Sequence, residues 1–219
     1  FIVCAKSPSC GMERVRLYDE KGNRGRKEGV GLFTGALMAR YPWLPVEEDG
    51  RLHDPLLREN FVERVFALHE LNALRAHGLT RHGLLAFHSR YKLQLLAHHQ
   101  AGYREIGPFV ASLHEWEDLE AFFEVYREKL MAILKQPASR KNHTNVLMHI
   151  QGYFRDQLNS RQRGELREVI LNYRAGLLPI LAPLTLLKHY LAEYPDRYLQ
   201  AQNYFDPYPQ DLALRLTVY

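Results

Sequence analysis

Ser139-Arg140-Lys141-Asn142-His143-Thr144-Asn145-Val146-Leu147-Met148-His149-Ile150-Gln151-Gly152-Tyr153 is the stretch on which the reading of the chain turns. Pro137 precedes it, Ser139 is a natural N-cap, and helical spacing starts at Arg140. At about 100° per residue, Val146, Leu147, Ile150, Tyr153 and Phe154 share one face with His143 inside the same arc, so that face is expected to enter a core. Lys141, Asn145, Met148 and Gly152 line the opposite side. The first turn breaks a rule. Arg140 and Lys141 occupy the positive end of the helix dipole, where cations cost about 0.3–1 kcal/mol each. Two cations, a hydroxyl cap and open amide N–H groups at one helix start would suit a phosphate; the plainer reading is an amphipathic helix with a solvated basic end.

A second basic helix lies upstream, over Leu84 to His99. Apolar side chains recur nearly all round it, so it is expected to be largely buried, yet His88, Arg90, Lys92 and His98 are embedded in it. Burying an unpaired cation costs several kcal/mol, so these groups need carboxylate partners or must open onto a cleft. Asp54 and Pro55 start a long connector helix that runs to about His77 and stops at Gly78, with Leu57, Phe61, Val65, Leu68 and Leu71 as its stripe and Glu59 and Glu63 early, where the dipole favours them. Tyr103 to Val110 reads as an irregular junction around Gly107-Pro108. Helices follow over Glu115–Leu134 and Arg161–Ala175, and Leu178–Tyr194 is expected to kink or restart at Pro179 and Pro183. The tail from Tyr198 to Tyr219 is expected to wrap the surface in extended form.

The first fifty residues differ in character. Phe1 to Ala5 reads as a buried strand that opens in mid-pattern, so a part of the protein is expected to precede it. Lys6-Ser7-Pro8-Ser9-Cys10-Gly11 is a tight loop at the carboxyl end of that strand, where α/β proteins place reactive groups. Cys10 there could be a low-pKa thiol, a metal ligand or inert. Asp19–Gly31 reads as a polar loop, Gly31–Tyr41 as a helix stopped by Pro42, and Leu44-Pro45-Val46 as a short edge strand, with a boundary between Glu47 and Asp54. The fold class expected is therefore α+β overall: the C-terminal part of an α/β domain over 1–50, then a mainly helical domain over 51–219 that begins with the connector helix.

Composition narrows the function classes. The 219 residues carry a formal charge of +4 and 11 histidines, which permits a polyanionic partner without requiring one. No apolar run approaches the ~18 residues of a membrane span. Two cysteines in a chain of this size argue against a secreted disulfide scaffold and for a reducing cytoplasm. HExxH, a nucleophile elbow, a Walker loop and GxGxxG are all missing. The two basic helices remain, with Tyr91, Tyr103, Tyr153 and Tyr173 nearby in sequence; Arg and Lys for phosphates with aromatic rings for unstacked bases is the composition of an RNA cleft, and also of an ordinary core.

The loop Lys6-Ser7-Pro8-Ser9-Cys10-Gly11 with the run to Leu44-Pro45-Val46-Glu47-Glu48 resembles the thiouracil desulfidase (TudS-like) family. From about Leu84 to Pro209 the chain resembles the YbgA-type helical domain, through Phe87-His88-Ser89-Arg90-Tyr91-Lys92, Arg140-Lys141-Asn142-His143-Thr144-Asn145-Val146-Leu147, Tyr173-Arg174, Pro183-Leu184-Thr185-Leu186-Leu187 and Tyr208-Pro209. The two occur fused in bacterial proteins resembling transfer-RNA thiouridine desulfidases. That resemblance implies a [4Fe-4S] cluster held by three cysteines, with water's oxygen replacing the sulfur of 4-thiouridine or another thiolated uracil. Cys10 matches the last cluster ligand and Ser7 a serine near the substrate. The other two ligands have no counterpart here, so this chain alone is not expected to assemble the cluster. The helical domain would hold RNA, with Arg90, Lys92, Arg140, Lys141 and Arg174 on phosphates and His88, His143 and Asn145 lining the cleft. Two alternatives stay open: a non-catalytic helical interaction module, and a helical-domain enzyme using His88 and His143 as acid and base.

Overall fold

The structure is a computed structural model and describes residues 1–22 and 24–216. Eight of its elements are helices longer than one turn: α1 (Leu32–Arg40), α2 (Pro55–Ala76), α3 (Arg81–His98), α4 (Gln100–Ala111), α5 (Leu119–Leu134), α6 (Arg140–Tyr153), α7 (Ser160–Arg174) and α8 (Leu181–Glu193). Their starts follow from local chemistry. Asp54 accepts from the amides of Leu56 and Leu57 with Pro55 at the first position, Ser139 accepts from Asn142, and Asn159 and Gln162 form a reciprocal capping box on α7.

α3 explains why its sequence is apolar nearly all round. Leu84, Phe87, Tyr91 and Leu95 enter one core with α2, α4 and α5, while Leu93 and Ala97 enter a second core with α6, α7 and α8. A helix between two cores has no outer stripe to spare for polar residues. Gly107-Pro108 does not interrupt the chain: both lie inside α4, where buried Ile106 and Val110, four apart, anchor the last turn against the cost of the missing amide. The proline segment restarts instead of kinking: α8 begins at Leu181, and Pro183 sits in its first turn, where its missing N–H would have had no helical partner.

The tail is not an extended surface wrap. A short helix α9 (Arg197–Gln200) leads into Tyr204, Phe205 and Tyr208, all buried, and Arg215 is buried as well. Tyr219 lies outside the described residues.

The first fifty residues form two small sheets around α1. β1 (Ile2–Val3) runs parallel to β4 (Glu47–Glu48), and β2 (Val15–Tyr18) pairs antiparallel with β3 (Arg24–Gly29). The strand expected over Phe1–Ala5 is thus two residues long, with Val3 buried and Phe1, Ile2 and Cys4 exposed. Sheet pairing falls on Glu47–Glu48 just after Leu44-Pro45-Val46, since Pro45 has no amide to donate and instead accepts from the Phe1 ammonium at 2.7 Å. The segment from Asp19 to Gly31 contains β3, which has no apolar alternation to announce it. Trp43 and Leu44 pack against the α2–α5 core, and the Arg127 guanidinium lies 3.7 Å from the centre of the Trp43 ring.

Candidate functional site

The loop after β1 is tightly built. Ser7 Oγ accepts from the amides of Ser9 (3.3 Å) and Cys10 (3.1 Å), and the Gly11 amide donates to the Ser7 carbonyl at 2.8 Å. The start of α1 closes over it: Leu32 and Phe33 amides donate to the carbonyls of Pro8 and Ser9, and Thr34 Oγ1 donates to Cys10 O at 2.6 Å. Gly31 is required where this approach is closest, since a Cβ there would fall 2.5 Å from the Ser9 carbonyl. The first amides of α1 are therefore spent on the loop. Ser7 Oγ, with its acceptor side occupied, keeps its own proton for another partner.

Cys10 is half-buried and Cys4 exposed, and these are the only cysteines of the sequence. No group of three or more His, Cys, Asp or Glu side chains is placed to hold a metal among the described residues. A cubane that needs three thiolates does not fit the residues of this chain by themselves.

The second feature lies in the helical part and was not foreseen. The buried face of α2 is polar at its start: Glu59, Asn60, Glu63 and Arg64 all turn inward. Arg215, delivered by the tail, lies between the two carboxylates, with Nε 2.8 Å from Glu59 Oε1 and Nη2 2.9 Å from Glu63 Oε1. Its Nη1 donates to the Tyr204 carbonyl at 2.9 Å, and Tyr208 donates its hydroxyl to Glu59 at 3.0 Å. His98 links Glu63 Oε2 (2.9 Å) to the Gln136 carbonyl (2.6 Å).

This network sets the charges. Burial alone would raise the Glu63 carboxyl, but the hydrogen bond and charge of His98, with Arg215, hold it down at about 2. Burial and then the charge of Glu63 raise Glu59 despite Arg215. Burial would lower the Arg215 guanidinium, and the two carboxylates reverse this and raise it. Burial first, then the nearby Arg215 charge, push His143 down to about 3, so its imidazole is neutral at pH 7.

Above the network opens a cavity of about 190 Å3, lined by Glu59, Asn60 and Glu63 from α2, Ser139, Arg140 and His143 from α6, and Tyr173 and Ile180 from α7 and beyond. Arg140 resolves the oddity of the first turn. Its Nη1 donates to the Tyr173 carbonyl at 2.7 Å and its guanidinium lies 5.1 Å from the Tyr173 ring centre. It opposes the dipole of its own helix and completes the negative end of α7, where Gly176 at φ +82° turns the chain.

The candidate side chains do not meet in one cleft. His88 is in the core, its Nδ1 3.1 Å from the Tyr126 hydroxyl, and burial, then Lys92, lower it to about 4. Burial there gives it no route to a ligand. Arg90 pairs with Glu70, a residue whose Oε2 also receives Asn203. Lys92 is half-buried. On α6 and α7, Lys141, Asn145 and Arg174 are exposed, while Arg140 and His143 line the cavity. Glu59, Glu63 and Arg215 were the residues missed, because carboxylates early in a helix look like ordinary dipole partners and Arg215 is more than 150 residues away from Glu59 in sequence.

No helix among the described residues is long and apolar enough to cross a membrane. Residues 92–209 match the family described as protein of unknown function DUF1722, and residues 1–49 match the 2-thiouracil desulfurase family. The uncharacterized protein YbgA of Escherichia coli (strain K12) is 51% identical over 152 residues, which is 69% of this chain and 90% of YbgA. No solved structure matches. With that relative aligned along most of its length, and a family match that covers α6, α7, α8 and the buried tyrosines of the tail, the chain belongs to the DUF1722 family and carries a 2-thiouracil desulfurase-like segment ahead of it.

Proposed function

We propose that this chain is part of a desulfidase acting on a thiolated uracil, with 4-thiouridine in transfer RNA as the favoured substrate and the helical domain holding the RNA. The observation that carries this reading is the Ser7–Gly11 loop, which sits at the carboxyl end of parallel strand β1 inside the segment matching the desulfurase family. Ser7 has a hydroxyl proton left to give to a thione or carbonyl acceptor on the base. Cys10 would contribute one thiolate of an iron–sulfur site whose remaining ligands lie outside this sequence. RNA would contact the exposed cations Lys141 and Arg174, with Asn145 on the same side of α6 as Lys141. Charge placement supports this part of the reading, since neither cation has a carboxylate partner among the described residues.

The test is equilibrium binding of thiolated and unthiolated transfer RNA over a salt series. Lys141→Glu with Arg174→Glu is expected to weaken binding and to reduce the log–log salt slope by about one per lost contact. Unchanged affinity and slope would remove the RNA-binding assignment.

A further inference from the structure

The cavity above the Glu59–Arg215–Glu63 network has a specific pattern of polar groups. Asn60 is 7% exposed, and its amide nitrogen donates to the Leu134 carbonyl at 2.8 Å. A carbonyl only accepts, so this bond fixes the amide orientation and leaves the Asn60 oxygen, which accepts no hydrogen bond among the described residues, for the cavity that Asn60 lines. His143 presents the complementary group. Tyr204 is fully buried, and His143 Nδ1, 2.9 Å away, is the one acceptor its hydroxyl has among the described residues. A buried hydroxyl proton needs an acceptor, so Tyr204 donates to Nδ1 and the imidazole proton sits on Nε2, which has no hydrogen-bond partner among the described residues. Arg140 adds a third group: Nη1 is occupied by Tyr173, and the other guanidinium N–H groups make no hydrogen bond among the described residues.

The cavity thus offers one acceptor and two kinds of donor between apolar walls that include Leu56, Pro137, Pro179 and Ile180. The carboxylates of Glu59 and Glu63 in its lining disfavour a free inorganic anion. A flat, uncharged ring whose edge carries one donor and two acceptors can use all three groups.

We infer that this cavity is a base-binding site, separate from the Ser7–Cys10 loop, that takes the imide edge of a uracil-type ring. Asn60 accepts from the ring N3–H, and His143 and Arg140 donate to the flanking oxygen or sulfur atoms. The pattern is a property of these side chains; only the source of the base, an RNA nucleotide, rests on the function proposed above.

Calorimetric titration of the whole chain with uridine 5′-monophosphate, cytidine 5′-monophosphate, N3-methyluridine 5′-monophosphate and inorganic phosphate tests it. The uridine nucleotide should bind at least about tenfold more tightly than the other two nucleotides, because each of those leaves the Asn60 oxygen facing a lone pair or a methyl group. Asn60→Leu should abolish that preference. If this variant does not fold, the ligand series on the unaltered chain decides alone. Equal binding of the three nucleotides, no nucleotide binding, or phosphate competing as well as the uridine nucleotide would overturn the inference. A chain that prefers the uridine nucleotide yet does not retain transfer RNA keeps this site and overturns the RNA reading; one that retains transfer RNA and ignores the N3 edge does the reverse.

Discussion

α3 and α6 carry the same kind of sequence, histidines and cations on a helix with a strong apolar component, and the fold treats them in opposite ways. On α3, His88 is bonded to Tyr126 inside the core and Arg90 is taken up by Glu70. On α6, Arg140 spends one N–H on a backbone carbonyl, His143 keeps one nitrogen open, and Lys141 faces solvent. What separates them is the neighbour. α2 places Glu70 beside Arg90, whereas Glu59 and Glu63, which share the cavity with Arg140 and His143, are already occupied by Arg215. A basic residue is available for a ligand only where the surrounding acids have found other partners.

The largest effect should come from taking that arrangement apart. Glu63→Ala leaves Arg215 and His98 without a shared carboxylate and is expected to cost about 3–5 kcal/mol in urea unfolding, as for a broken buried pair. His88→Ala should cost roughly 2–4 kcal/mol by opening a hole beside Tyr126 and Phe87, while nucleotide and RNA affinity stay unchanged. A loss of affinity in a variant that retains its fold would mean that α3 belongs to the site after all.

Acidity probes both helices together. His88 and His143 have folded-state pKa values of about 4 and about 3, below the ordinary 6.5, so between these limits the unfolded chain binds more protons than the folded one. Stability should therefore be full above about pH 6.5 and fall as pH drops toward 4, with a slope approaching roughly 1.4 kcal/mol per pH unit for each histidine. Below pH 4.5 the depressed Glu63 adds to the loss, whereas Glu59, whose carboxyl is raised, opposes the loss just above pH 4.5. Urea midpoints at pH 7 and pH 5 measure this, and His88→Gln should remove about half the difference. Smallest of all, Arg90→Ala should change stability by less than about 1 kcal/mol, since its pair with Glu70 is part-exposed.

Much of the helical frame was legible because caps and spacing are local. Asp54 and Ser139 mark the starts of α2 and α6, and the all-round apolar α3 announced a largely buried helix. The candidate site was legible only in part. Arg140 and His143 stood out in sequence, yet Arg140 gains its meaning from the carbonyl end of α7, 33 residues away. The floor of the cavity was hidden for the same reason: Glu59 and Glu63 interrupt the apolar stripe of α2, and only the tail, returning with Arg215, Tyr204 and Tyr208, makes their burial affordable. β3 escaped notice because a solvent-exposed strand draws its order from pairing with β2, not from a pattern of its own.

The most direct measurement is the transfer RNA affinity of two matched variants, Arg140→Gln with Lys141→Gln on α6 and Arg90→Gln with Lys92→Gln on α3, over a salt series with folding verified for each. The α6 pair should weaken binding several-fold and flatten the salt dependence by about one to two, while the α3 pair changes the slope by less than half as much. Equal losses from the two helices, or a larger loss from α3, would contradict the division between an open and an occupied basic helix.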